Sequence, residues 1–509
     1  MEIQFPSILI LISSLSIFIF LKLGSKLIKT KKATPNLPPG PRKLPLIGNI
    51  HNLIGSVHHR ALHHLALKHG PLMHLQLGQL SAVVVSSPDA AKQVMKTHDL
   101  NFASRPSVLV AEIISYGCTS ITFGPYGDYW RQLRKICTLE LLSMKRVQSF
   151  RSLRENVFLD LTRWIASHDR GSPVNLMEKF YSSTYDLISR AALGKKTKEL
   201  EILLPIVQEA VELAAGFHIA DLYPSIKLLQ MTSGLRKRVM RLHQEADRIL
   251  EGIIYDHRIA NNVVNSDERE KQEDLLDVLL KFQDDKLQLP LTTDNIKAVL
   301  LHDVLAAGSE TSAAAVDWAM AEMLKNPSVL KKAQDEVRRV FDDKGYVNES
   351  SIHQLKYLKS VIKETLRMHP PVPLLLPRKC GEKCEINGYE IPVNTKIIIN
   401  AWAINRDPIF WKIFNCFQPE RFHDSSVDYK GNHFEYIPFG AGRRICPGMS
   451  FGLANVDLAL ANFLYHFDWN LPSGMKPEEM DMTDGNGLTL KRKKDLYVVP
   501  VIKRPLPVE

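Results

Sequence analysis

The sequence predicts a mainly α-helical fold with small β-sheets, preceded by a single N-terminal membrane anchor. Three observations predict it. Most segments with a clear apolar rhythm follow helical spacing, a few short stretches alternate or run continuously apolar, and residues 3–21 carry no charged side chain. With 45% hydrophobic and 24% charged residues and no low-complexity tract, the chain can bury a large core.

The anchor comes first. A helix over residues 3–21 would span roughly 28 Å, close to the hydrocarbon thickness of a bilayer. No small-residue cleavage pattern follows it, and the charges lie after the apolar run, so the segment is expected to be retained. Lys22, Lys26, Lys29, Lys31 and Lys32 flank its C-terminal side and place the body in the cytosol by the positive-inside rule. They also make much of the formal charge of +10 local, which argues against a nucleic-acid partner. Residues 1–32 thus form the anchor and its basic flank. Residues 33–45 form a hinge, in which Pro38, Pro39 and Pro41 block helix continuation. Residues 46–509 show no repeat or break in composition and read as one body.

Within the body, 72–77 and 82–86 around Gly78-Gln79 predict a hairpin, with further strands over 396–400 and 496–502. Helices are expected over 90–97, 129–142, 205–213, 235–261 and 273–282. A long helix over 293–326 should run through the core, yet its middle reads Ala306-Ala307-Gly308-Ser309-Glu310-Thr311-Ser312. Such polarity in a buried helix either serves function or reflects close packing with hydroxyls bonded back to the preceding turn. A further helix over 355–368 sets Glu364 and Arg367 on one face, and Arg421 lies in an apolar, proline-bent stretch that could complete a buried network.

The six cysteines are sparse and irregularly spaced, which predicts reduced thiols in a reducing compartment. One of them, Cys446, sits in Phe439-Gly440-Ala441-Gly442-Arg443-Arg444-Ile445-Cys446-Pro447-Gly448, just before a helical run over 450–463. Flanking arginines and a helix start favour a thiolate, and glycines leave room for a flat group. No neighbouring histidine suggests a nucleophile's base, and no ligand set suggests zinc. A merely structural cysteine would leave the glycines and arginines unexplained.

The loop Phe439-x-x-Gly442-x-Arg444-x-Cys446-x-Gly448 resembles the haem-thiolate loop of cytochromes P450. Ala307-Gly308-x-Glu310-Thr311, Glu364-x-x-Arg367, Pro419-Glu420-Arg421-Phe422 and Trp130-x-x-x-Arg134 resemble other motifs of that family, in its order. Stretches such as 102–106, 126–131 and 363–367 resemble the plant A-type group, especially its terpenoid-oxidising branch. The resemblance implies haem b with Cys446 as axial ligand, the cofactor also meeting Phe439 and Gly440. It implies O2 as co-substrate and propionates held by Trp130, Arg134, Arg444 and Arg378. Gly308 would open a groove in the long helix, and Glu310 and Thr311 would deliver protons to the distal side. Glu364, Arg367 and Arg421 would be structural.

Electrons would come from NADPH through a separate NADPH-cytochrome P450 reductase, which would meet basic residues such as Arg131, Lys135, Lys145 and Arg146. The resemblance also implies the endoplasmic reticulum membrane, with the body facing the cytosol. A hydrophobic substrate would be lined by Leu301, Leu305, Ala306, Val372, Leu375 and Asn486, with His302 packing elsewhere. Asn486 stands where the branch often has an aromatic. The implied activity is hydroxylation of a terpenoid, the alternatives being the same chemistry on an alkaloid or flavonoid, or a reductase-independent isomerase or dehydratase.

Overall fold

Leu72–Leu77 (β1) and Leu80–Val85 (β2) form the predicted antiparallel hairpin, Leu77 facing Leu80 across the turn. The computed structural model describes residues 35–168, 171–194, 198–214, 217–263, 273–284 and 289–506. Among these no helix is long and apolar enough to cross a membrane, and the predicted anchor at 3–21 lies outside them. The proline-rich stretch lies along the sheet: Pro39 O accepts from His74 N at 2.8 Å and Asn36 O from Glu390 N at 2.8 Å.

Strands are short and few. Lys396–Ile399 (β7) pairs parallel with β2 and antiparallel with Arg378–Lys379 (β4), giving the order β1-β2-β7-β4. Tyr497–Ile502 (β9) pairs with Val174–Asn175 (β3) and Phe467–Asn470 (β8), and Cys384–Ile386 (β5) pairs with Tyr389–Ile391 (β6). Among the described residues the sheets are small, as the sequence predicts.

The helices that build the core are Asp128–Ile136 (α1), Arg151–Ala166 (α2), Leu176–Leu193 (α3), Lys198–Leu213 (α4), Leu235–Val263 (α5), Pro327–Phe341 (α7), Lys356–Met368 (α8) and Met449–His466 (α9). The predicted long helix (α6) is continuous from Thr293 to Lys325, in three parts. Thr293–Ala298 is capped by Thr292, Val299–Ala306 has the wide turns of a π-helix, and Ala307–Lys325 is regular. Its regular part is buried on nearly every side: Ala313, Val316, Ala319 and Met323 are almost inaccessible and pack among α2, α3, α7, α8 and α9, while Trp318 packs against Trp402 and Leu490.

Helix α4 begins seven residues before the predicted start at Pro205, which sits inside it. The ring costs one backbone hydrogen bond, but burial of Leu200, Leu203, Ile206 and Val207 on one face holds the helix together.

Candidate active site

The segment from Phe439 to Gly448 turns back on itself because Gly440 and Gly442 take positive φ of 70° and 69°. At Gly442 only glycine fits, since a Cβ would lie 2.1 Å from Met95 O and 2.8 Å from Asp99 Oδ1. Cys446 N donates to Phe439 O at 3.0 Å, which closes the turn and brings the sulfur to a cavity wall just before α9.

Burial pushes the Cys446 thiol pKa up, and the backbone N–H groups of Gly448 and Met449, together with Arg134, act against that rise. The cations that the sequence places beside it turn away. Arg443 pairs with Asp99 at 3.1 Å, while Arg444 donates to the carbonyls of Ala103 (2.6 Å), Ile121 (2.9 Å) and Gly124 (2.5 Å). A guanidinium has a long reach and several donors, and carbonyls at that depth have to be satisfied by the chain itself.

Four guanidinium groups, Arg105, Arg134, Arg378 and Arg444, line the same cavity. Arg134 donates to Ile445 O at 2.6 Å, and Arg378 to Asp99 Oδ1 at 3.0 Å and Ala441 O at 2.8 Å. Arg105 donates to the carbonyls of Thr122, Leu376 and Pro377 at 3.1, 2.6 and 3.0 Å. Burial, with the charges of Arg444, Arg378 and Arg134, holds Arg105 well below the ordinary guanidinium pKa, and burial with Arg378 and Arg134 lowers Arg444 to about 9. Nearby, Asp303 spends its carboxylate on Ile121 N (2.7 Å) and Thr122 N (3.1 Å), and Asp99 is shared by Arg378 and Arg443. This wall therefore carries surplus buried positive charge, which is costly without an anion. A donor set of this kind fits the two carboxylates of a porphyrin lying between it and the thiol.

Trp130 is not on that wall. Its indole N–H donates to Ile121 O at 2.9 Å, and its ring lies 4.2 Å under the Arg444 guanidinium. A buried indole needs a partner, and here a backbone carbonyl takes that place, so Trp130 supports Arg444 from behind.

Helix α6 forms the opposite wall. Thr311 Oγ1 donates to Ala307 O at 2.8 Å, and Ser309 and Ser312 likewise bond back to Leu305 O and Gly308 O. A Cβ on Gly308 would come 2.9 Å from Ile188 Cδ1 on α3, so this glycine permits close helix packing while also bordering the cavity. Glu310 is 4% exposed, and its Oε1 lies 2.5 Å from Lys491 Nζ. Its burial raises its pKa and Lys491 opposes the rise. The wide-turn segment ends directly before Ala307, and such irregularities in helices frequently mark functional sites.

The cavity has a volume of about 300 Å3. Leu301, Ala306, Val372 and Leu375 line it, with Phe439 and Gly440 beside Cys446. Leu305 does not; it is fully buried in the packing of the wide-turn segment. Asn486 lines a smaller adjoining cavity of about 50 Å3 that shares Phe123, Val372, Leu375 and Leu488 with the larger one. His302, expected to pack elsewhere, is on the main wall, its ring 4.9 Å from that of Phe123.

Outside the cavity, Glu364 accepts from Arg367 Nε (2.7 Å) and Nη2 (2.8 Å) and from Arg421 Nε (2.9 Å), with Glu364 and Arg367 fully buried. Two residues of the site have no signal in the sequence that would single them out. Arg105 lies in the 102–106 stretch with no local mark of its chemistry, and Lys491 reaches Glu310 from a segment far along the chain.

A thiol at a helix start, a cationic wall suited to two carboxylates and an apolar chamber under a long helix define a haem-thiolate oxygenase. The chain belongs to the cytochrome P450 family, which it matches over residues 38–499. It is 61% identical to salviol synthase from Salvia pomifera over 100% of both chains. It is 50% identical to premnaspirodiene oxygenase from Hyoscyamus muticus (97% of this chain, 99% of that one). Tabersonine 6,7-epoxidase isoform 1 from Catharanthus roseus is 52% identical (95% and 96%). A zebra fish cytochrome P450 structure with abiraterone shares the fold, with a TM-score of 0.73 at 22% identity, over 87% of this chain and 99% of that one. The protein is a P450 monooxygenase that uses haem with a thiolate ligand, O2, and electrons from a redox partner. When bound, the haem supplies the activation of O2 and the transfer of one oxygen atom to a hydrophobic substrate.

Proposed function

We propose that this monooxygenase hydroxylates a plant terpenoid, with electrons supplied by NADPH-cytochrome P450 reductase at the endoplasmic reticulum. In this reading residues 1–32 are the anchor, 33–45 the hinge and 46–509 the cytosol-facing body. The observation that carries the substrate class is the apolar part of the chamber's lining: Leu301, Ala306, Val372, Leu375 and their neighbours offer a hydrocarbon an apolar surface, while the guanidinium groups are reserved for the propionates. The premnaspirodiene relative, named for oxygenating a diene, points the same way.

In the proposed mechanism the chain's own residues bind, orient and move protons. Cys446 would ligate the haem iron, and Arg105, Arg134, Arg378 and Arg444 would hold the propionates. Trp130 fixes the Arg444 plane. The apolar chamber excludes bulk water, which strengthens each electrostatic contact inside it. Glu310 takes up a proton, and the Thr311 hydroxyl, beside it on the cavity side of α6, passes one toward the substrate chamber. Glu364, Arg367 and Arg421 keep α8 locked to the loop carrying Pro419–Phe422.

A second reading, the same oxidation of an alkaloid, is favoured by the likeness to the tabersonine epoxidase. The test incubates membranes holding this protein and a plant reductase with NADPH and a panel of terpenes, alkaloids and phenolics, with products read by mass spectrometry. Oxygenated terpenes are the expected result. Consumption of alkaloids or phenolics alone overturns the terpenoid reading.

A further inference from the structure

Glu310 presents an asymmetric carboxylate. Oε1 lies 2.5 Å from Lys491 Nζ, whereas Oε2 is buried without a hydrogen-bond partner, and the residue borders the cavity. The Lys491 side chain is 41% exposed, so its ammonium approaches the buried acid from the solvent side.

Lys491 is held in place by its own backbone. Gly485 N donates to Lys491 O at 2.9 Å and Lys493 N to Thr483 O at 2.8 Å, closing a short return of chain. Leu490 pins that return at two points: its O accepts from Trp318 Nε1 on α6 at 2.8 Å, and its N donates to Pro371 O at 2.8 Å. Thr489, two residues before Lys491, also lines the cavity and, like Lys491, acts against the rise of the Glu310 pKa. The segment thus grips α6 beside Glu310 and delivers one cation to it.

A nearly buried carboxyl group without a cation would stay protonated near neutral pH and could not take up a proton. A cation in contact opposes the rise in pKa and favours the ionised form. Other groups facing Glu310 do not supply this. Glu212 on α4 repels it, and Tyr181 on α3 is a neutral phenol whose own ionisation is suppressed by burial and by Glu310.

We propose that Lys491 is a positioning residue for proton delivery: it anchors one oxygen of Glu310 and leaves the other, unpartnered, to take up and release protons. The role rests on the monooxygenase activity of the family and does not depend on which substrate is oxidised. The proton balance is simple, with Glu310 gaining one proton from solvent water and losing it toward Thr311 while Lys491 keeps its own throughout.

The test uses the haem-containing protein and needs no substrate. The protonated Glu310 carboxyl is followed by its infrared C=O stretch, assigned by its disappearance in Glu310→Gln, and titrated against pH in the wild type, Lys491→Met and Lys491→Arg. In Lys491→Met the midpoint should rise by about one to three pH units, the range that an adjacent opposite charge imposes, and Lys491→Arg should restore most of it. With reductase and NADPH, Lys491→Met should oxidise NADPH on the order of 10-fold more slowly, with a larger solvent deuterium effect, below the loss expected for removing a general acid itself. The reduced carbon monoxide band from Cys446 ligation should stay normal. An unmoved midpoint in Lys491→Met, or a Lys491→Arg protein as impaired as Lys491→Met, overturns the proposal. Should Lys491→Met not yield holoprotein, Lys491→Gln takes its place: a raised midpoint with slowed NADPH oxidation supports the role, and an unmoved midpoint overturns it.

Discussion

Replacing Arg105 with methionine should speed the loss of haem. Arg105 is one of four guanidinium groups on the cavity wall, and its hydrogen bonds within the chain go to the carbonyls of Thr122, Leu376 and Pro377. Facing a propionate it would gain a charge-assisted bond of about 1.5–3 kcal/mol, and each 1.4 kcal/mol is a factor of about ten. Salt screens such a buried contact little. Dissociation should therefore accelerate by about 10- to 100-fold in Arg105→Met, while Arg105→Lys, which keeps the charge but not the fork, should fall between. The assay is transfer of haem to excess apomyoglobin, followed by visible absorbance. A rate unchanged in both variants would refute the reasoning and leave Arg105 as a tie between three loops.

Cys446→Ser should abolish the reduced carbon monoxide band characteristic of thiolate ligation, and a persisting band would remove Cys446 from the ligand role. Gly442→Ala should destabilise the fold by at least about 3 kcal/mol in denaturant titration, because it adds a left-handed backbone penalty to a Cβ 2.1 Å from a backbone oxygen that cannot move away. A loss under ~1 kcal/mol would contradict that geometry. Asp317, 5% exposed in α6, has its pKa raised by burial to about 7. The folded chain then holds this proton after the unfolded chain has released it, so Asp317 should erode stability as pH rises from about 4 to about 7. The stability difference between Asp317→Asn and wild type should shift in favour of the variant over that range; a difference independent of pH would refute the assignment.

Much of the scaffold was legible because its signals are local. The β1–β2 hairpin follows from alternation about Gly78, and α6 from a proline-free apolar run between Pro290 and Pro327. The Cys446 loop announced itself through glycines at turn positions, and the Glu364–Arg367 pair through its three-residue spacing. Leu305 departs from the sequence expectation for a definite reason. Leu301 and Leu305 would share a face on a regular α-helix, but both lie in the wide-turn segment Val299–Ala306, where the longer repeat swings Leu305 away from the cavity.

By itself, then, the sequence determined the mainly helical class, the β1–β2 hairpin, the long α6, the thiol loop and the Glu364–Arg367 pair, since turn chemistry and short spacings act between neighbours along the chain. Only the tertiary structure decided that Trp130 backs Arg444, that Arg105 joins the cationic wall, that Asn486 faces a smaller adjoining cavity, and that Lys491 meets Glu310. These partners are far apart in sequence. Their meeting depends on how helices pack and on which unpaired charge or carbonyl each side chain finds within its reach, and residue spacing carries no record of either.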